Sequence, residues 1–339
     1  NHTDCLGMKI EGLNFLNEKP MAKLNRIVYW YKEFSQLYNI DSAVDAEILY
    51  LCSTGEIPNE YQIPKPYYKD IVNINDSIPI NKQLEQIKNL LTTFINCSTW
   101  KTFVSVREFS KYIKAFGEIE KNGIYVDKEI SQQREGQRDS NGLIYSSYNF
   151  LTSTFRPSNT FGGTNFSALN KNSGIRKHFV SRYGNEGRIL NMDFVSYHPR
   201  ILANFFIDLF KKHQTRFSSH YASITADTNI YEWIQKQSKE LESLSYDEMK
   251  TLTFRQIYGG IDDDIRQIPF FNDISILTEG IVDRIDGNGI IESKIFKLPL
   301  RVVDFGQPIT GTKAFNYYIQ ALETEINVQK IEKIVELLK

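Results

Sequence analysis

Apolar residues recur at helical spacing along much of the chain and at strand spacing only in short pieces. Leu84, Ile87, Leu90, Leu91 and Phe94 fall three and four apart, which predicts an amphipathic helix over 83–94. Phe109 to Glu120 predicts another, stopped by Asn122-Gly123, because glycine accepts the left-handed backbone that ends a helix. Ile201, Leu202, Phe205, Phe206 and Leu209 predict a helix from about Pro199 to Lys212. Pro199 suits its first turn, where the missing N–H costs nothing. Two more helices are expected within Ile230 to Tyr258, and a long helical stretch, as one helix or two, over Thr312 to Leu338. Ile124-Tyr125-Val126 and Arg188 to Asp193 read as strands, and Gly287 to Leu300 as a hairpin. Pro64 to Tyr68 and Ile78 to Ile80 read as turns, Ser131 to Gly142 as a polar loop, and Ala22 to Tyr38 interleaves aromatic and basic residues. The order mixes α and β without the regular alternation of a doubly wound sheet.

With 339 residues the chain has room for about two domains. Hydrophobic residues at 41% and charged residues at 24% exclude a disordered or collagen-like chain. No apolar run approaches the ~18 residues of a spanning helix, so no membrane partner is expected. Forty basic and 41 acidic residues leave a net charge of −1, so any nucleic-acid binding must come from local patches. Cys5, Cys52 and Cys97 form no CxxC pair, which argues against a zinc knuckle and fits a reducing compartment.

Three stretches carry candidate chemistry. In Ile189-Leu190-Asn191-Met192-Asp193-Phe194 an aspartate ends an apolar strand before a helix. A hard cation such as Mg²⁺ takes oxygen ligands from such a place, although the same aspartate could simply cap the helix. In Lys250 to Gly260, residues Lys250, Phe254 and Tyr258 share a narrow helical arc at about 100° per residue. That arc could grip a triphosphate and stack on a base, or be a solvated face with two half-buried rings. The third stretch, Thr154 to Asn159 and then Asn165 to Asn170, offers arginine and short amides on irregular backbone. Such groups suit phosphate and base-edge contacts, and equally suit local turns.

Order and spacing add what no single stretch supplies. Gly117 to Asp127 resembles the E-x-x-G-I-x-V-D palm entry of the family A DNA polymerases, in a phage-like version. Thr154 to Ser158 is similar to that family's T-G-R-L-S element, Asn165 to Asn170 to its N-L-Q-N run, and Ile175 to Phe179 to its I-R-x-x-F. Asp193 to Ala203 aligns without gaps to motif A, and Lys250 to Gly259 to motif B, K-x-x-x-F-x-x-x-Y-G. Gly289 to Leu300 resembles the later hairpin, and Pro308 to Ala314 resembles P-x-Q-G-T-A-A. The resemblance covers about residues 111 to 339.

The resemblance implies an α+β fold: a right-hand polymerase palm, an antiparallel sheet backed by helices with Asp193 on a central strand, and helical fingers. A mostly helical N-terminal region over 1–110, an exonuclease-domain remnant or accessory segment, would precede them. The palm's first part with motif A would span 111–203, the fingers with motif B 204–286, and the palm's second part 287–339. The function implied is template-directed addition of deoxynucleotides to a primer 3′-end by two-metal phosphoryl transfer. Asp193 and the Phe194 carbonyl would hold two Mg²⁺ ions. His198, Arg200, Lys250, Phe254 and Tyr258 would meet the nucleotide. Thr154, Arg156, Asn159, Asn165, Asn170, Arg176 and Thr312 would meet DNA. The partners implied are primer–template DNA, deoxynucleoside triphosphates and replication accessory proteins, in the cytoplasm of a bacterial host if phage-encoded.

The chain also departs from the family. His198 stands where motif A carries Glu; an imidazole near Tyr258 could make the site sensitive to pH near neutrality, or be simply a surface histidine. Tyr246 replaces the motif B arginine, with Lys239 or Arg255 as substitutes, and Asp262-Asp263-Asp264 reads as a solvated turn. The long helical thumb and the second carboxylate of motif C are expected from a longer protein, so these residues alone are expected not to polymerise. The alternatives are a single-subunit RNA polymerase-like enzyme, or a catalytically incomplete nucleic-acid-binding module.

Overall fold

The structure is a computed structural model. It describes residues 44–55, 57, 99–127, 138–159, 165–211, 221–302 and 310–338, with two short strands at 7–8 and 27–28. The elements expected at 64–68, 78–80 and 83–94, most of 22–38 and of 131–142, and Cys5 and Cys97 lie outside the described residues. The chain divides into two units. The first is 1–190 with 292–300 and 324–339, and the second is 191–291 with 301–323.

In the first unit β1 (Gly7–Met8) pairs antiparallel with β2 (Ile27–Val28), which pairs in parallel with β3 (Val44–Asp45). Asp45 joins β3 to helix α1 (Ala46–Thr54). Its carboxylate accepts from Ile48 N at 2.9 Å, and its own N–H donates to Ser110 Oγ at 2.9 Å. Helix α2 (Trp100–Asn122) starts at Thr99, whose hydroxyl oxygen accepts from Thr102 N. It buries Val106, Phe109, Ile113 and Phe116 at helical spacing. Phe109 meets Phe150, Phe155 and Phe296 edge-on, with centroids 5.9, 5.7 and 5.6 Å away. Such pairs add about 0.5–1.5 kcal/mol each beyond the burial itself.

Gly123 ends α2 as its sequence predicts. Its φ is +58°, and a Cβ there would sit 2.8 Å from the Tyr145 ring and 3.0 Å from the Ile144 carbonyl oxygen. The chain then enters β4 (Ile124–Tyr125), antiparallel to β5 (Leu143–Ile144). β6 (Tyr148–Asn149) pairs with β7 (Ser158–Asn159). Val126 and Ile144 are packed by Phe166, Ile175 and Phe179. In the same unit the buried Glu325 carboxylate accepts from Ser293 Oγ at 2.5 Å, Ile295 N at 2.8 Å and Phe296 N at 2.9 Å.

In the second unit α3 (Tyr197–Lys211) buries Ile201, Leu202, Ala203, Phe205 and Phe206. It is followed by α4 (Ile230–Gln235), α5 (Tyr246–Gly259) and α6 (Pro269–Val282). Pro269 opens α6, and Phe270, Phe271, Ile274, Leu277 and Ile281 form its buried face. Phe206 packs on Tyr221 at 5.0 Å and on Phe270 at 6.3 Å, and the Tyr221 hydroxyl donates to Asp273. The predicted hairpin, with residues of both units, forms as β8 (Ile290–Glu292) and β9 (Pro299–Arg301). The long C-terminal stretch is a single helix, α7 (Gly311–Leu337), which enters the first unit at Thr324. No helix among the described residues is long and apolar enough to cross a membrane.

Two expectations need correction. Among the described residues the strands form no single palm sheet. They make a three-stranded sheet and separate two-stranded ladders. The strand expected over Arg188 to Asp193 does not form, so Asp193 ends no strand. The apolar pattern is there, but no described segment pairs with it, and Ile189, Leu190 and Met192 are 52%, 80% and 72% exposed. A lone strand leaves its N–H and C=O groups unmatched, so side-chain pattern alone does not create one.

Candidate functional site

Helix α5 is fixed at its start by a reciprocal cap. The Ser245 hydroxyl oxygen accepts from Glu248 N, while the Glu248 carboxylate accepts from Ser245 N at 2.8 Å and Oγ at 2.7 Å. Those bonds hold the Glu248 carboxyl below its ordinary value. Met249, Thr253, Gln256 and Ile257 face inward. This burial sets the helix rotation and leaves Lys250, Phe254 and Tyr258 on the other side. Lys250 is exposed, and Phe254 and Tyr258 are half-buried. The two rings lie parallel, 5.9 Å apart at 11°. Among the described residues Lys250 has no ion-pair partner. The arc predicted from spacing therefore exists as a cation followed by two aligned rings.

The segment that resembles motif A reaches the same arc through His198. Ser196 takes the left-handed backbone at φ 52°, turning the chain into α3. His198, in the first turn of α3, accepts from or donates to the Tyr258 hydroxyl through Nδ1 at 2.6 Å. Its Nε2 lies 2.9 Å from Glu323 Oε2 on α7. Asn316, also on α7, donates from Nδ2 to the Tyr258 carbonyl oxygen at 2.9 Å. Tyr197 stacks on the Phe194 ring at 4.3 Å and 10°. Burial first, then the Glu323 carboxylate, push the Tyr197 hydroxyl far up.

The other predicted nucleotide residue, Arg200, serves the fold. Its guanidinium donates to the carbonyl oxygens of Val195 at 2.8 Å, Thr225 at 2.8 Å, Ala226 at 3.2 Å and Thr228 at 2.5 Å. It clamps the loop before α3 to the turn before α4. Arg255 pairs with Asp262 at 2.7 Å, and Gln256 donates to the same carboxylate at 2.7 Å. The first of the three aspartates thus closes the end of α5. Lys239 sits in a short 3₁₀ turn, Lys239–Leu241.

The predicted DNA-contacting residues on the first unit mostly organise turns. Asn165 caps a 3₁₀ turn by accepting from Ala168 N at 3.1 Å, and Asn170 caps the next by accepting from Asn172 N at 2.9 Å. Arg176 donates to the Leu169 carbonyl oxygen at 2.9 Å. Asn159 donates to Ser146, Thr154 is buried, and Arg156 is exposed. The same unit has a cavity of about 620 Å³, with Arg182, Arg188, Ser181, Asn185, Tyr125 and Phe179 in its wall. Thr312, on the second unit, stands 3.0 Å from where a Cβ on Gly260 would fall.

Asp193 is exposed, and its segment supplies one carboxylate. Among the described residues no group of three or more His, Cys, Asp or Glu side chains could hold a metal ion. A pair of Mg²⁺ ions needs more oxygen donors than Asp193 and the Phe194 carbonyl provide. The donor set among the described residues does not fit a two-metal centre. Sequence reasoning missed Glu323 and Asn316. One signal for them is their separation of seven (323 − 316), which puts both on one side of α7.

No family model and no curated protein matches this chain. Among solved structures, the polymerase domain of Pol1 from M. smegmatis, in complex with DNA primer-template and dNTP, is similar with a TM-score of 0.41 and 13% identity. The match covers 88% of this chain and 57% of that one.

Proposed function

We propose that the chain is the palm-and-fingers part of a template-directed DNA polymerase that adds deoxynucleotides to a primer 3′-end. One observation carries the reading. His198 and Tyr258, 60 residues apart in segments that resemble motifs A and B, meet through a 2.6 Å bond, and the helix that carries Tyr258 also carries the exposed cation of Lys250. In this reading Lys250 holds the triphosphate, the Phe254 and Tyr258 rings bound the sugar and base, and Arg156 and the exposed amides meet primer–template DNA. In this reading Asp193 is the carboxylate that this chain would contribute to the catalytic centre of a longer polymerase.

The test is twofold. Titration of the chain with a deoxynucleoside triphosphate and with primer–template DNA should give saturable, salt-dependent binding. The full-length protein should extend a primer in Mg²⁺ and lose nearly all extension on Asp193→Asn. Retained extension in that variant removes the assignment of Asp193. Binding with no extension by the full-length protein makes the chain a binding module, and preference for ribonucleotides makes it RNA polymerase-like.

A further inference from the structure

Within the second unit, α7 holds Tyr258 at two points. Asn316 binds its main-chain carbonyl, and Glu323, two helical turns later, reaches its hydroxyl through His198. All three side chains of the relay are at least partly removed from solvent. The side chains of His198 and Glu323 are 12% and 10% exposed. A carboxylate only accepts hydrogen bonds, so Nε2 of His198 must carry the proton that faces Glu323. In the neutral ring Nδ1 is then an acceptor, and the Tyr258 hydroxyl must donate to it. The direction of the whole relay follows from the carboxylate at its end.

We infer that Glu323 is a positioning residue for the Tyr258 ring: it fixes His198 as the Nε2–H tautomer, so that Tyr258 directs its hydroxyl into the protein and presents its ring face, parallel to Phe254, to a ligand. The ligand suited to this surface is one that stacks on flat rings and carries phosphate for Lys250. This deepens the nucleotide-binding reading and rests on it for the ligand, but the tautomer does not. Without Glu323, the His198 ring is free to turn or change tautomer. Nδ1 then stops accepting, and the Tyr258 hydroxyl loses this bond while the Asn316 bond to its backbone remains.

The experiment uses the chain labelled with ¹⁵N-histidine, with Glu323→Gln and Glu323→Leu as variants and deoxynucleoside triphosphate as the probe. In the unmodified protein the His198 ring nitrogens should show the shifts of a protonated Nε2 and a bare Nδ1. Gln keeps an oxygen that accepts from Nε2–H, so its variant should retain that signature and bind the probe within about twofold. Leu removes the acceptor, so its variant should lose the signature and bind about tenfold more weakly. A Leu variant that stays folded with unchanged binding and unchanged shifts overturns the inference. So does a protonated Nδ1 in the unmodified protein, which can be read even if the Leu variant does not fold. If the unmodified protein binds no nucleotide, the proposed function fails, while the ring shifts still decide whether Glu323 sets the tautomer.

Discussion

Replacing Lys250 with alanine separates a ligand-binding arc from a solvated helix face. Lys250 is exposed, lies on α5 one turn before Phe254, and has no ion-pair partner among the described residues. The folded chain therefore loses little on Lys250→Ala. An exposed substitution of this kind is usually within about 0.5 kcal/mol, and alanine is the better helix former. A bound phosphate changes that arithmetic. A hydrogen bond to a charged partner contributes about 1.5–3 kcal/mol, and each 1.4 kcal/mol is tenfold. The Kd for a deoxynucleoside triphosphate should rise about 10- to 150-fold, with melting temperature unchanged. Lys250→Arg keeps the charge and should recover much of the loss, short of all of it because a planar fork replaces a point charge.

The control is the same deoxynucleoside without phosphates, titrated into both proteins by calorimetry. Its affinity comes from the rings of Phe254 and Tyr258, so Lys250→Ala should leave it unchanged. Raising the salt should weaken the triphosphate more than the nucleoside in the unmodified protein, and equally little in the variant. The reasoning is refuted if the triphosphate Kd stays within twofold in a folded variant. It is also refuted if nucleoside and triphosphate lose affinity equally, because the lysine would then act on ring packing and not on phosphate.

Burial pushes the Glu325 carboxyl above its ordinary value of 4.5, and the donors on Ser293, Ile295 and Phe296 oppose this without cancelling it. The folded chain therefore holds this proton more tightly than the unfolded chain, and the resulting stability is fully present at low pH and lost as pH rises through the raised value. The melting temperature of the unmodified protein minus that of Glu325→Gln should fall as pH rises from about 4.5 and then level off; a rise would reverse the sign. Gly123→Ala puts a Cβ against Tyr145 and the Ile144 carbonyl at a left-handed φ; urea unfolding should show a loss of at least about 1 kcal/mol, and an unchanged midpoint would show that the α2 exit relaxes freely. Arg200→Ala removes a clamp on four main-chain carbonyls. It should cost on the order of 2 kcal/mol, with no recovery in Arg200→Lys, whose single ammonium lacks the fork; full recovery would reduce Arg200 to a point charge.

What the sequence discloses depends on the distance over which each feature is decided. The start of α3 near Pro199, the run of α7 and the stop at Gly123 are set within one or two turns by spacing and by glycine backbone, and they are legible. The arc of Lys250, Phe254 and Tyr258 is legible for the same reason, since helical geometry places residues four apart on one side. The strand expected over 188–193 fails because a strand is decided by a partner, and the pattern of Ile189, Leu190 and Met192 says nothing about where that partner is. Arg200 and Asn165 carry the right chemistry for phosphate or base edges, yet nearby main-chain groups take up their hydrogen bonds, a competition that short polar side chains and guanidinium groups enter readily. Glu323 is the extreme case. It lies 125 residues from His198, in the buried part of a helix whose pattern asks only for apolar neighbours. A carboxylate placed there is costly unless paired, so its burial is itself the sign of a partner. The general step is to ask, of each charged residue that periodicity sends into a core, which donor it meets there. For Glu323 the answer runs through one imidazole to the ring that the proposed nucleotide would touch.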